Sequence, residues 1–594
     1  MGCANVEQLI TDHIDLWTSA IENKKSSGRG SSKKQSLHGI KKLRELILEL
    51  AVRGKLVPQD SNDEPASVLL ERIAEERDQL AKEKKVKKPK KLPCIMAKDI
   101  PHELPTGWVW SRLNDLCSLE NGDRSKNYPN KSVLVDEGIP FVNAGHLQDG
   151  LVNKSEMTFI TQERFDLLRS GKFQVGDILY CLRGSLGKSA IVEDLKTGAI
   201  ASSLVIVRTT KGIQQSYLLK YFDAPLSEVM IKQYDNGTAQ PNLSATDLCK
   251  FLVPVPPVDE QQRIVAKVDE LMALCDQLEE QTENNIEAHQ VLVETLLGTL
   301  TQSQNADELA ENWERVAEHF DTLFTTEHSI DQLKQTILQL AVMGKLVPQD
   351  PNDEPASVLL EKIAAEKEGL IKEKKIKKQK SLPPISDEEK PFSLPEGWEW
   401  CRFSILANEV ATGPFGSMIN KKEYIDGGVP LINPSHMNNS QIQEDSSISV
   451  TYEKAQELST YRIRKGDVVM ARRGEMGRCA LVTEREHNWL CGTGSFVLRF
   501  GENVSRPYIL LLFRTTWIKE YLGGNSIGTT MVNLNHGILN KMPLLVPPVS
   551  EQHRIVSKVD QLMSFCDELK ARLQQAQQTQ LSLTEGITDQ ALKG

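Results

Sequence analysis

The chain has 594 residues, 39% of them hydrophobic and 26% charged, a balance that excludes a disordered or membrane-embedded protein. No apolar run approaches about 18 residues, so no transmembrane helix is predicted. The net charge of −10 excludes a uniformly basic nucleic-acid binder; DNA binding would need clustered cations or phosphate contacts supplied by partners.

The opening MGCANVEQLITDHIDLW has no basic stretch ahead of an apolar core, so no secretory signal is expected. Val6 stands where a myristoylation signal has Ser or Thr. Residues 1–94 read as an N-terminal helical region, although 1–36 give no placeable pattern. Leu43, Ile47 and Leu50 mark a helix, followed by a Gly-Lys-Leu-Val-Pro-Gln-Asp turn and a charged helix with Pro65 in its first turn. Residues 95–255 read as a mixed α/β globular domain, with short β runs such as GDILYCL and SSLVIVRTT. In 256–384, a central helical spacer region, Ile264, Val268, Leu271, Cys275 and Leu278 repeat at 4,3 spacing, the seam of a coiled coil. The same register continues through Thr282, Asn285, His289, Leu292 and Leu296. Residues 385–546 form a second mixed α/β domain. The C-terminal helix, 547–594, repeats the seam as Ile555, Val559, Leu562, Cys566, Leu569, Leu573 and Ala576.

These elements are a tandem duplication. Residues 49–88 match 339–378 at an offset of 290, and VPPVDEQQRIVAKVDELMALCDQLE (255–279) matches 546–570 at 291. The flanks nearly coincide, whereas 114–175 and 193–236 have diverged from 404–465 and 483–527. One scaffold carries two different inserts.

Catalytic chemistry is not legible. Arg183–Ser189 resembles a phosphate loop, but Leu182 occupies the place of its first glycine, and a glycine-kinked hairpin is expected instead. The Pro-Pro pairs lack the acid and aromatic neighbours of an amino-methyltransferase motif. The acidic stretches Asp60–Glu64 and Asp350–Glu354 read as surface turns and not metal sites. The ten cysteines form no CxxC, which points to reduced thiols in a cytoplasmic protein and to no metal.

Together, the doubled L-P-x-G-W-x-W, the G-D-hydrophobic run and P-P-x-x-E-Q-x-R-I-V ahead of a heptad helix resemble the specificity (S) subunit of type I restriction–modification enzymes. The AVxGKLVPQDxNDEPASVLL segment resembles the type IB branch. The resemblance covers about residue 37 to the end. It implies an α+β tandem duplication: two mixed α/β target recognition domains separated by long antiparallel coiled-coil helices, with pseudo-two-fold symmetry. It implies a non-catalytic subunit that recognises a bipartite, asymmetric site in double-stranded DNA and directs partner-catalysed adenine methylation and restriction. The implied partners are two methyltransferase (M) and two restriction (R) subunits, which hold S-adenosylmethionine, ATP and Mg; this chain holds no cofactor. A coiled-coil adaptor whose globular domains bind proteins is the alternative.

Each globular domain is near neutral, with 16 Lys+Arg against 17 Asp+Glu in 101–255 and 16 against 15 in 394–548. Base edges are read by Arg, Lys, Asn and Gln in paired geometry. The candidates in the first domain are Arg124, Lys126, Asn127, Asn143, His146, Thr238, Gln240 and Asn242. Those in the second are Asn420, Lys421, Lys422, Asn433, His436, Thr529, Asn533 and Asn535. Arg183 and Arg473, shared by both copies, suit phosphate contacts, as do the lysine runs 82–91 and 372–380. The Trp pairs 108/110 and 398/400 are expected in the core. Ile264, Val268, Leu271, Leu278, Ile555, Val559, Leu562 and Leu569 are assigned to the spacer and M-binding helices. The second seam is expected to run antiparallel to the first and to pack beside Leu43–Leu50.

Overall fold

The computed structural model describes residues 4–24, 34–83, 92–237, 241–414, 418–438, 440–524 and 534–593. The chain forms two compact units, Met1–Asn285 with Ala576–Gly594, and Ile286–Gln575. The helical regions do not stand apart from the recognition domains, because their apolar faces are buried in the same cores.

In unit 1, helix His38–Val52 buries Leu43, Leu46, Ile47 and Leu50 against Ile264, Val268, Leu271 and Cys275 of the long helix Val258–Gln302. Tyr217, Leu218 and Tyr221 of helix Gln215–Asp223 complete this core from the recognition domain. Arg44 ties the two helices by ion pairs to Asp276 and Glu279. The first residues have structure that their sequence did not signal. Helices Ala4–Asp12 and Ile14–Ser19 place Val6, Ile10 and Trp17 in the same core. In unit 2, helices Ala306–Glu318 and Phe320–Leu323 precede Glu327–Val342 directly, whereas in unit 1 the paired strands Ile21–Lys24 and Lys34–Leu37 come between the short helices and His38–Val52.

The first recognition domain holds a six-stranded sheet in the order Cys117–Asn121, Leu204–Thr209, Ile178–Cys181, Ser189–Ile191, Gly150–Val152, Leu147–Gln148. A second sheet runs Thr158–Ile160, Ile139–Val142, Thr197–Ile200, Lys172–Gln174. Strand Ile178–Cys181 is buried along its whole length, which is why its sequence is a continuous apolar run and not an alternation. The preceding Gly-Asp turn is built around a partly buried ion pair: Arg208 donates to both oxygens of the buried Asp177, at 2.8 and 2.7 Å. The expected glycine-kinked hairpin joins Ile178–Cys181 to Ser189–Ile191, with Gly184 and Gly187 at positive φ. Pairing of Val109–Arg112 with Leu252–Val255 closes the domain at its base.

Unit 2 repeats this plan. Its main sheet runs Ala407–Thr412, Ser495–Phe500, Val468–Ala471, Cys479–Leu481, and Glu399–Arg402 pairs with Pro543–Val546 at the base. Helix Glu327–Val342 packs on the start of the second long helix, Val549–Lys593, where Lys334 pairs with Asp567 and Lys570 with Asp331.

Two expectations about the seams need correction. The seam Ile555–Leu569 packs beside Leu333–Leu340 in unit 2, not beside Leu43–Leu50; the part of that helix in unit 1 is 576–593, where Ala591 joins the core. One long helix therefore carries the chain from unit 1 into unit 2, and the other carries it back. The heptad register also fails past Thr282. Leu292 is exposed, and the buried positions are Val293, Leu297 and Leu300. Ala576 is exposed in the same way, and Thr584 is buried. A straight helix drifts by about 20° per heptad, so over the four heptads from Ile264 to Leu292 its buried face moves by about 80°, close to the offset of one residue.

Candidate nucleic-acid interface

The joint between each recognition domain and its helices explains the doubled motifs. Trp108 Nε1 donates to Glu260 Oε2 at 2.9 Å, and Gln59 Nε2 donates to the other oxygen at 3.2 Å. Trp398, Glu551 and Gln349 repeat this at 2.9 and 2.8 Å. Arg263 grips Asp63 and Arg554 grips Asp353 beside them. The G-W, P-P-x-x-E-Q and V-P-Q-D motifs thus meet in one hydrogen-bonded hub. Burial pushes the Glu260 and Glu551 carboxyls up, against the opposing pull of the Trp and Gln donors. Trp108 and Trp398 are core residues as expected, whereas Trp110 and Trp400 are half-buried against the same cores. At this hub Asp60 and Asp350 cap their own turns through Asn62 and Asn352, and no group of His, Cys, Asp or Glu among the described residues could hold a metal.

Away from the joint, the loops leaving several strand ends converge on one rim. The register pairs Asn121 with Val205 and Cys181 with Leu204, so the ends of Cys117–Asn121 and Ile178–Cys181 lie together. Ala201 N donates to Val142 O, Leu182 N to Ser203 O, and Leu243 N to Leu182 O. Arg124 Nη2 reaches Ser202 O at 3.5 Å. Arg183 bridges to Asn242, its Nε donating to Asn242 Oδ1 at 3.0 Å. Asn242 is itself fixed by Asp235, whose carboxyl accepts from the backbone of Asn242 and Gly237 and is held below the usual carboxylate range. Arg124, Asn143, Arg183 and Asn242 thus share one rim, although 59 residues separate Arg183 from Asn242.

Unit 2 builds the same rim, keeping Asn433 and Arg473 at the places of Asn143 and Arg183 and changing residues around them. Gly413 N donates to Ser495 O, Gly492 N to Ile432 O, Arg472 N to Gly494 O and Leu534 N to Arg472 O. Arg472 lies over the Phe496 ring, with its guanidinium carbon 5.6 Å from the centroid. The neighbouring Arg473 is exposed. Arg472 and the Ser202–Ser203 turn were not singled out in the sequence; the doubled Arg of ARRG and the small residues before a buried strand were the available signals.

The other candidates fall into distinct groups. Lys126 is exposed, and Asn127 Nδ2 donates to Leu167 O at 3.1 Å. His146 and His436 are buried, each accepting through Nδ1 from the backbone N–H of Asn143 or Asn433, at 3.1 and 3.3 Å. They close a turn and present no edge to a base. Asn143 also spends its carboxamide oxygen on Gly145 N at 2.8 Å. Asn535 caps the next helix through Ile538 N, and Asn420 N donates to Glu423 on a local turn. Lys421 and Lys422 are exposed on that turn, and no contact links them to the rim. In the 372–380 run, Lys372 and Lys375 pair with Glu368 and Glu373. Thr238, Gln240, Thr529 and Asn533, and most of the 82–91 run, lie outside the described residues. The eight seam residues are mostly buried and none is exposed; they hold each long helix to its own unit, so a partner must meet other positions.

A specificity protein with two reading heads on a shared scaffold is the class that this arrangement defines. The family model for the type I restriction modification DNA specificity domain matches residues 105–288 and 404–577. The chain is 41% identical to the EcoAI specificity subunit of Escherichia coli, over 99% of its own length and 100% of that protein. The EcoEI specificity subunit of Escherichia coli matches equally, at 41% identity over the same shares. Among solved structures, a chain described under assembly of the type I R-M system is 18% identical, covering 83% of this chain and 99% of its own, with a TM-score of 0.49. The HsdS subunit from Thermoanaerobacter tengcongensis is also 18% identical over 83% of this chain and 98% of its own, with a TM-score of 0.39. The chain belongs to the family of type I restriction–modification DNA specificity subunits. That assignment replaces the alternative of a protein-binding adaptor.

Proposed function

We propose that each rim reads one half of a bipartite, asymmetric DNA site, and that the chain directs adenine methylation and restriction catalysed by M and R partner subunits in the cytoplasm. The observation that carries this reading is the contrast within one chain: the hubs coincide bond for bond, whereas the rims keep Asn143/Asn433 and Arg183/Arg473 but differ around them, with Arg472 and Phe496 in unit 2 where unit 1 has Leu182 and Val205. A scaffold that must hold two identical partners keeps its joints, and two different targets require two different reading surfaces. Arg183 and Arg473 take phosphates in this reading. Arg124, Lys126 and Asn242 in the first domain, and Lys421 and Lys422 from a separate turn of the second, supply base contacts.

Two copies of one M subunit also fit the exposed apolar positions of the long helices. Leu274 and Phe565 are equivalent, 37% and 50% exposed, and so are Leu292 and Leu583, at 49% and 53%. Apolar residues left in solvent at matching places on both helices suit a repeated protein contact. The chemistry of S-adenosylmethionine, ATP and Mg then belongs to the partners.

The test is long-read sequencing of adenine methylation in a host that expresses this chain with its M subunit. The expected result is one methylated motif with two unrelated half-sites around a fixed gap. A continuous or palindromic motif, or an unmodified genome, would contradict the reading.

A further inference from the structure

Unit 2 has a half-open cavity of about 290 Å³ where its recognition domain rests on the helices. Four cations line it: Lys334 from helix Glu327–Val342, Arg478 before strand Cys479–Leu481, Arg514 at the end of helix Arg506–Arg514, and Lys519 from Thr516–Gly524. Glu475 is the one carboxylate among the lining residues. Arg478 is forked onto Glu475, and Lys334 is paired with Asp567. Arg514 and Lys519 have no acidic partner among the described residues, although both are half-buried. Like charges gathered around a partly desolvated space repel one another, and a bound anion relieves that repulsion.

The shared scaffold does not require this charge. The offset that aligns Tyr217 with Tyr508 and Phe222 with Phe513 places Asp223 and Glu228 opposite Arg514 and Lys519. Ser185 and Lys188 stand opposite Glu475 and Arg478. At this place unit 1 carries two carboxylates, and burial pushes that of Asp223 up to about 6. The cationic cavity therefore belongs to the second half alone, which argues against a dock for a partner that must meet both halves alike.

We propose that this cavity binds a small phosphate-bearing anion, free or as the phosphate tail of a nucleotide. The guanidinium of Arg514 offers a fork for two oxygens, and Lys519 adds a point charge. The volume lies at the low end of small-molecule sites, about 300 Å³, enough for a di- or triphosphate group. A duplex displays its phosphates on a convex surface, whereas this space is walled by several segments of the chain, so a free anion suits it better.

The experiment is calorimetric titration of the full-length chain in chloride buffer with inorganic pyrophosphate and, separately, with ADP. Saturable binding of both at similar strength supports the proposal and shows that phosphate suffices; tighter binding of ADP supports it and identifies a nucleotide. Arg514→Gln and Lys519→Gln are each expected to weaken binding by about tenfold or more, as for loss of a hydrogen bond to a charged group. Glu475→Gln is expected to strengthen it, a gain that no folding defect produces. Absence of binding, or affinity unchanged in both glutamine variants, would overturn the proposal. So would variants that alter only the binding of a non-specific duplex.

Discussion

The two ends of each recognition domain obey different rules. At the joint, Trp108–Glu260–Gln59 and Trp398–Glu551–Gln349 are the same structure twice, with Trp–Glu distances of 2.9 Å in both. Lys55 and Lys345 likewise each donate to the last carbonyls of a long helix, at Leu592 in one unit and at Thr301 and Ser303 in the other. At the rim, unit 2 has Arg472 over the Phe496 ring where unit 1 has Leu182 and Val205 beside its Arg183–Asn242 pair. Buried polar bonds cannot drift singly without leaving an unpaired donor or charge, so the joint keeps its sequence. Exposed rim side chains carry no such penalty and are free to diverge.

Breaking the joint should have the largest effect. Trp108→Ala removes a buried ring and leaves Glu260 Oε2 without its donor, at an expected cost of about 3–5 kcal/mol to unit 1. Trp398→Ala should cost unit 2 about the same, because the hubs are equivalent. Urea unfolding of both variants reads this directly, and a difference of several kcal/mol between them would show that the hubs are not equivalent.

A smaller effect is expected at the rim. Arg183→Ala should leave stability unchanged, weaken DNA binding for all sequences alike, and lower the slope of log K against log salt by about 1. A changed base preference with an unchanged slope would make Arg183 a base reader instead.

The smallest effect concerns a place where the joints themselves differ. In unit 2, Arg402 forks onto Glu389, with distances of 2.6 and 2.9 Å, and holds its carboxyl down to about 2. Asp99 stands at the equivalent place in unit 1, one methylene shorter; it closes its turn on Met96 N as Glu389 does on Ser386 N, and Arg112 keeps the carbonyls of Pro93 and Lys250 as Arg402 keeps those of Pro383 and Lys541, but among the described residues no ion pair joins Asp99 to Arg112. A depressed carboxyl stabilises the fold above its ordinary pKa of about 4.3, and the contribution is lost as pH falls towards 2. Glu389→Gln should therefore flatten the acid limb of unit 2 slightly, by less than about 1 kcal/mol because the carboxylate is partly exposed. Acid titration followed by tryptophan fluorescence checks it, and an unchanged acid limb would remove the pair from the account.

Much of this was legible in the sequence because local spacing carries it. The seam from Ile264 to Leu278 follows from its 4,3 repeat, and Trp108 and Trp398 were placed in the core from their alternation. The rim was less legible, because Arg183 meets Asn242 only after three strands and two helices have folded between them. Asn143 with His146 and Asn433 with His436 drew attention as polar groups suited to base edges. Their three-residue spacing was equally that of a capping turn, and burial of the imidazoles decides for the turn. The first 36 residues gave no pattern because their helices are short and anchored by a few side chains, chiefly Trp17.

The most direct test of the account exchanges one rim and leaves the other. Residues 95–255 are replaced by the corresponding segment of a relative with a different target, and adenine methylation is sequenced across the host genome. The account predicts that one half of the methylated motif changes, while the other half and the gap stay as they were. Change in both halves, or in neither, would contradict the separation of a conserved joint from two independent reading surfaces.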